Sequence, residues 1–228
     1  MVQLLKDIYN DAELAHCLGF KGGTALMLLH ELPRFSVDLD FNLLVPERQD
    51  AVYQKIRKIV RQYGKIHDEA QKFYGGIVVL DYGIAERKLK VEFSNRPDND
   101  AYEIRNLLGI SMKVMQLEDM FANKLCALLH RTNIVNRDIF DCWFLMNNRT
   151  PINQKIIEQK TGKALPDYLQ DCIDTLENLP NKSLLDGLGE LANPELKTFI
   201  RNKLRNETIF LLKAFQAFPI LPDKRNNG

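Results

Sequence analysis

The sequence predicts an α+β protein, a small mixed sheet with flanking helices followed by a helical lobe. Three observations carry this expectation. Residues 37–44, Val-Asp-Leu-Asp-Phe-Asn-Leu-Leu, alternate apolar and polar side chains, the pattern of a half-buried strand. Residues 75–82 and 88–94 read as two further strands, the first the more apolar. After Pro151 only helical periodicities recur, punctuated at Gly162, Pro166, Pro180 and Pro194. The expected division is residues 1–150 as the core and 151–228 as the helical lobe.

Along the chain, residues 3–18 space Leu4, Leu5, Ile8, Ala12, Ala15 and Cys17 roughly for one helical face. Gly22-Gly23 interrupts that pattern, and residues 24–30 begin a second helix that Pro33 ends. Residues 47–63 are a charged helix. Leu117 to Arg131 and Arg137 to Asn147 are two strong ones, and the tail from Pro219 is polar.

Length and charge narrow the function. The 228 residues bury a real core, and a net charge of +1 supplies no global field for nucleic acid. Such a partner needs a local basic track. Two helices offer one: Lys55, Arg57, Lys58 and Arg61, and a C-terminal helix with Lys197, Arg201, Lys203 and Arg205. No stretch approaches the roughly 18 apolar residues of a membrane span, and the N-terminus lacks a signal-peptide core. A cytoplasmic protein without a membrane partner is expected. Cys17, Cys126, Cys142 and Cys172 form no Cys-x-x-Cys pair and read as buried small hydrophobes.

The chemistry concentrates in Lys21-Gly-Gly-Thr-Ala-Leu26 and Arg34-Phe-Ser-Val-Asp-Leu-Asp-Phe41. Gly22 and Gly23 before a helix leave amide N–H groups free for an anion, and Thr24 can cap that helix or reach a phosphate oxygen. A plain turn with a cap accounts for the same residues. Asp38 and Asp40, two apart on a strand, project from one face. Two adjacent carboxylates repel, and a hard divalent cation, Mg²⁺ or Mn²⁺, removes the conflict. Glu92 lies on the polar face of its strand with Lys88 and Lys90. It serves either as a third carboxylate ligand or in a cross-strand salt bridge. Lys124 falls on the apolar stripe of Leu117, Phe121 and Leu128, where a lysine needs a partner or a ligand. Triphosphate suits it, and so does snorkelling from the stripe's edge. Arg131 lies further along that side. Asp138 and Asp141 share a side of the next helix, with Arg137 placed to pair with Asp141.

Taken together, Gly-Gly-Thr-Ala-Leu, Arg-Phe-Ser-x-Asp-Leu-Asp-Phe, Val-Glu-Phe, Lys-x-x-Ala-Leu-x-x-Arg and Arg-Asp-x-x-Asp resemble the AbiEii/AbiGii toxin-type nucleotidyltransferases of the DNA polymerase β-like superfamily. The motifs run in that family's order from about residue 20 to 145. The resemblance implies a polymerase-β-type core and metal-dependent transfer of a nucleotide from an NTP, in several members to tRNA 3′ ends. It implies Gly23 and Thr24 at the triphosphate, Asp38 and Asp40 as metal ligands, and Glu92 as the second acidic position. Lys124 matches the lysine of the third motif. Asp138 and Asp141 match the aspartates of the fourth, with the choice between them open. Members are often toxins encoded beside an antitoxin, which would make an antitoxin protein a partner. By the same analogy the basic C-terminal helix, with Arg201, Lys203 and Arg205, grips an RNA acceptor. A kinase-like phosphotransferase toxin and a catalytically silent nucleic-acid or partner-binding module are the alternatives.

Overall fold

The computed structural model describes residues 1–83, 88–130, 135–179, 188 and 193–222. The chain divides into two compact units, Met1–Met115 and Gln116–Gly228. This division precedes the expected boundary at residue 150. The two motif helices therefore group with the second unit rather than with the sheet.

The first unit opens with α1 (Val2–Asn10) and α2 (Ala12–Cys17) where the sequence suggests one helix. Asp11 separates them. Its backbone is extended, and its carboxylate accepts from the amides of Glu13 and Leu14 at 3.0 and 3.1 Å, capping α2. β1 (Leu18–Lys21) comes directly after it, a strand that the sequence pattern does not reveal. α3 (Gly22–Leu29) then takes both glycines into its first turn, followed by β2 (Leu39–Leu43) and α4 (Gln49–Val60). The unit ends with β3 (Lys65–Lys72), β4 (Gly75–Asp81), β5 (Lys88–Ser94), β6 (Tyr102–Leu107) and β7 (Ile110–Met115).

The seven strands form one sheet in the order β3-β4-β5-β2-β1-β7-β6. β1 pairs parallel with β7, β2 pairs parallel with β5, and the other neighbours are antiparallel. The fold is thus α+β with a mixed sheet, as predicted. Its register fixes two successive rows. Phe20, Phe41, Phe93 and Gly76 align across β1, β2, β5 and β4, and the three phenylalanines are fully buried. Phe41 packs against Phe20 and Tyr9, with ring centroids 5.4 and 6.2 Å apart. The neighbouring row is Lys21, Asp40, Glu92 and Ile77. Successive strand residues face opposite ways, so burying the aromatic row puts Asp40 and Glu92 on the other face. A slip of one residue would drive both carboxylates into the core. With each buried phenylalanine contributing roughly 1.5–3 kcal/mol, the register is strongly specified.

The second unit is helical among its described residues: α5 (Leu117–His130), α6 (Asn136–Asn147), α7 (Gln154–Thr161), α8 (Leu165–Glu177), α9 (Pro194–Asn202) and α10 (Leu204–Ala217). Its core includes Phe121 edge-on to Phe215, centroids 5.8 Å apart. Tyr168 donates its buried hydroxyl to the carbonyls of Leu125 and Cys126, both at 3.1 Å. The four cysteines are buried and not joined in disulfides, as expected. The C-terminal basic helix is two helices, broken at Lys203. Among the described residues, no helix is long and apolar enough to cross a membrane.

Candidate active site

Asp40 and Glu92 are register partners on adjacent parallel strands, and Asp38 lies just ahead of β2. The sequence pattern puts Asp38 and Asp40 on one strand; only Asp40 is within it. A cation lies among these carboxylates, Lys90. Its ammonium donates to Glu92 Oε2 at 2.8 Å and lies 3.7 Å from Asp38 Oδ2. Burial alone would lower the Lys90 pKa. The hydrogen bond to Glu92 and the charges of Asp40 and Asp38 outweigh burial and raise it. Glu92 is the mirror case. Burial would raise its carboxyl, but Lys90, with help from Lys72 and Lys21, holds it below its ordinary value. Of the two roles the sequence allows Glu92, the structure displays the ion pair, though with Lys90 of its own strand.

The glycines have a spatial reason. Gly22 has φ +83°, and a Cβ there would stand 2.7 Å from Asp40 Oδ2. A Cβ on Gly23 would meet Arg34 Nη2 at 2.5 Å and Ser36 Oγ at 3.0 Å. Only glycine lets the start of α3 come this close to the carboxylate strand. The N-cap residue Lys21 contributes no side-chain cap, and the first turn of α3 lies against Asp40 with the polarity of a helix N-terminus. Thr24 is fully buried. Its hydroxyl bonds to Ser36 Oγ at 3.0 Å and to the carbonyl oxygen of Asp38. That bonding ties the segment carrying Asp38 to α3, which is a positioning task.

Sequence reasoning misses several neighbours. Lys21 shares the Asp40 row, and Lys90 reads in the sequence only as a residue on the same face as Glu92. Asn42, the next residue on that face of β2, is buried and donates its amide to Tyr102 Oη at 2.7 Å, to Asp100 Oδ2 at 3.3 Å and to Asp98. The Asp-Asn-Asp of residues 98–100 is the signal available for that cluster.

The donor chemistry tests the expected metal. Asp38, Asp40 and Glu92 offer only hard carboxylate oxygens, which suit Mg²⁺ or Mn²⁺. All three already act on one cation, the Lys90 ammonium. As the side chains stand, no group of three or more His, Cys, Asp or Glu among the described residues is disposed to hold a metal ion. The donors therefore fit in kind, with Lys90 in the place of competitor.

In the second unit, Lys124 on α5 is held by two aspartates of α6. Its ammonium lies 3.0 Å from Asp138 Oδ1 and 2.9 Å from Asp141 Oδ2. The aspartate side chains are 3% and 0% exposed and that of Lys124 18%, so the lysine is neither an unpartnered charge on an apolar stripe nor a snorkelling one. Asp141 pairs with Lys124 rather than with Arg137 as the spacing suggests. Arg131 lies outside the described residues.

The basic tracks are also partly committed. Lys55 pairs with Asp11 at 2.7 Å and Glu13 at 3.1 Å, and Arg57 pairs with Glu69 at 2.5 Å. Arg205 donates to the carbonyls of Leu179 and Glu177 at 2.7 and 2.5 Å, satisfying the C-terminal end of α8. Arg201 and Lys203 are exposed.

A mixed sheet with two register-paired acids beside a glycine-rich helix start is the arrangement of a nucleotidyltransferase. The comparisons identify the kind. Residues 3–218 match the family described as nucleotidyl transferase AbiEii toxin, type IV toxin–antitoxin system, and the chain belongs to that family. A nucleotidyltransferase from Helicobacter pylori superposes with TM-score 0.61 at 22% identity, covering 95% of this chain and 93% of that one. The nucleotidyltransferase toxin MenT4 of Mycobacterium tuberculosis gives 0.53 at 18% identity, covering 88% and 79%. At these identities the likeness is one of fold. No curated protein sequence matches the chain. The protein is a nucleotidyltransferase of the toxin class.

Proposed function

We propose that this chain moves an NMP from an NTP to the 3′ end of an RNA, a tRNA being the best-suited acceptor, with release of pyrophosphate. The observation that carries the reading is the register pairing of Asp40 with Glu92, with Asp38 beside them and the α3 N-terminus against Asp40. Asp38 and Asp40 would hold Mg²⁺ or Mn²⁺, with Glu92 joining them when Lys90 releases it. A divalent ion bound there supplies charge neutralisation at the phosphates and acidifies an acceptor hydroxyl.

The chain's own residues supply the rest. The first-turn amides of α3, at Gly22 and Gly23, orient a phosphate. Thr24 fixes the Asp38 segment against them. Lys21, Lys72 and Lys90, whose charges all reach Glu92, offset the negative charge of a triphosphate. Lys124 is assigned to phosphate binding and Asp138 and Asp141 to holding its ammonium. Arg201 and Lys203 remain acceptor-binding candidates, whereas Arg205 is occupied at α8. An antitoxin protein is the partner expected of a type IV system.

The test is incubation of the full chain with total RNA, Mg²⁺ and each NTP, labelled in turn at the α- or the γ-phosphate. The α-label should appear in RNA and the γ-label should not. Asp40→Asn should reduce incorporation at least ~100-fold without changing the melting temperature by more than a few degrees. Transfer of the γ-label would show a kinase-like phosphotransferase instead, and full activity of Asp40→Asn would remove the assignment.

A further inference from the structure

The turn between β3 and β4 is occupied by two large aromatic rings. Lys72 pairs with Gly75, leaving Phe73 and Tyr74 as the two-residue loop. Such loops ordinarily take Asn, Asp or Gly. Neither ring is needed by the core, since Phe73 is 84% and Tyr74 52% exposed. The rings meet edge to face with centroids 4.7 Å apart. The Arg96 guanidinium lies over the Tyr74 ring, 6.0 Å from its centroid.

This tip is held in place. Gln49 donates to the carbonyl of Lys72 at 3.0 Å, and the Asn95 side chain donates to Gln49. The Asn95 amide donates to the carbonyl of Tyr74 at 3.4 Å. Gly75 has φ +131°, where a Cβ would stand 2.0 Å from the Phe93 carbonyl oxygen. The two rings are thus presented to solvent on a braced turn. The tip is also close to the carboxylates. Gly75 pairs with Ser94, two residues beyond Glu92 on β5, a rise of about 7 Å. Lys72 is near enough for its charge to act on Glu92.

We infer that Phe73 and Tyr74, flanked by Lys72 and Arg96, form a stacking platform for a base of a single-stranded RNA, the acceptor strand approaching the carboxylates. The inference rests on the transferase reading for its ligand. The ring faces not covered by Arg96 or by the edge-to-face contact accept any base, and the two cations complement the adjoining phosphates. A protein surface would ask for a wider apolar patch than two rings beside a lysine and an arginine.

The test measures binding, not transfer. Fluorescence anisotropy of a labelled, unstructured oligoadenylate of about 12 nucleotides would be read on the full chain, without NTP or added metal. Phe73→Ala/Tyr74→Ala should raise Kd roughly tenfold or more, because stacking is worth about 1–3 kcal/mol per base. Its salt dependence should stay as in wild type, since no phosphate contact is lost. Lys72→Ala/Arg96→Ala should weaken binding and flatten the salt dependence. Phe73→Trp/Tyr74→Trp should restore affinity and Phe73→Leu/Tyr74→Leu should not. The melting temperatures should stay near wild type, because the rings are exposed. An affinity within about twofold of wild type for the alanine pair would overturn the platform, as would no RNA binding by the wild-type chain. Full affinity of the leucine pair would also overturn it, by showing a general apolar surface for a protein partner. Ring-dependent binding without any nucleotide transfer would sustain the platform while defeating the transferase reading. Transfer with ring-independent binding would do the reverse.

Discussion

At the scale of single residues, Lys90 governs the carboxylate cluster. It supplies positive charge to Asp38, Asp40 and Glu92, so under the proposed function a divalent cation would have to compete with it. Lys90→Met should therefore bind Mn²⁺ about tenfold more tightly at neutral pH, as read by the free Mn²⁺ resonance. Unchanged or weaker affinity would show that Lys90 is not in the cation's place. A pH test runs beside it. Glu92 has its pKa lowered from 4.5, so its stabilisation is present above that value and is lost as pH falls through the folded-state pKa. Lys90 has its pKa raised from 10.5, so its contribution is complete below that value and is lost only at higher pH. The difference in unfolding free energy between wild type and Lys90→Met should thus be widest between about pH 5 and 10. It should shrink in acid. Glu92 and the aspartates are legible in the sequence because acids on a strand are conspicuous. Lys90 is not, because a lysine two residues from a glutamate reads as surface until the parallel partner strand brings Asp40 beside it.

Elements explain what periodicity can and cannot show. β2 and β5 announce themselves because their side chains alternate apolar and polar, and β4 because it is a short apolar run. β3 does not, since Lys-Ile-His-Asp-Glu-Ala-Gln-Lys is a charged edge strand with little apolar face to read. β1 is too short to show a period, yet it lies inside the sheet between β2 and β7. The α5–α6 pair is legible in extent, but the partner of its lysine is not. Because Lys124 joins two buried aspartates across these helices, Lys124→Ala takes a cation away from two buried carboxylates, and a loss of about 3–5 kcal/mol in denaturant unfolding is expected. The apolar-stripe reading points the other way, toward unchanged or raised stability. If the loss appears and NTP affinity holds, Lys124 is a structural ion-pair member and its assignment to phosphate falls. Weakened NTP binding in a variant as stable as wild type would support the phosphate role.

For the whole molecule, the position of the break matters more than the count of domains. The sequence pattern places it at 150, some fifty-five residues after the last strand it shows, which ends at 94. The structure places it at Met115, the last residue of β7. Sequence patterns cannot locate it, because α5 carries the same amphipathic spacing whether it packs on a sheet or on other helices. The first unit has its own core of Phe20, Phe41, Phe93 and the leucines of α1. A fragment of residues 1–115 should therefore unfold cooperatively by circular dichroism and keep its seven-stranded content. A non-cooperative melt of the fragment would show that the sheet depends on residues beyond 115.

The parallel pairing of β1 with β7 also sets an order of events. Phe20 finds its neighbour Val114 only when nearly all of the first unit has been made, and Asp40 must wait for Glu92. Contacts so distant along the chain slow the completion of the sheet, whereas β3, β4 and β5 pair locally. Under the proposed function, a nascent chain that has displayed the glycine and aspartate motifs still lacks Glu92, and transfer is withheld by topology alone until that strand is made, before any partner need restrain it.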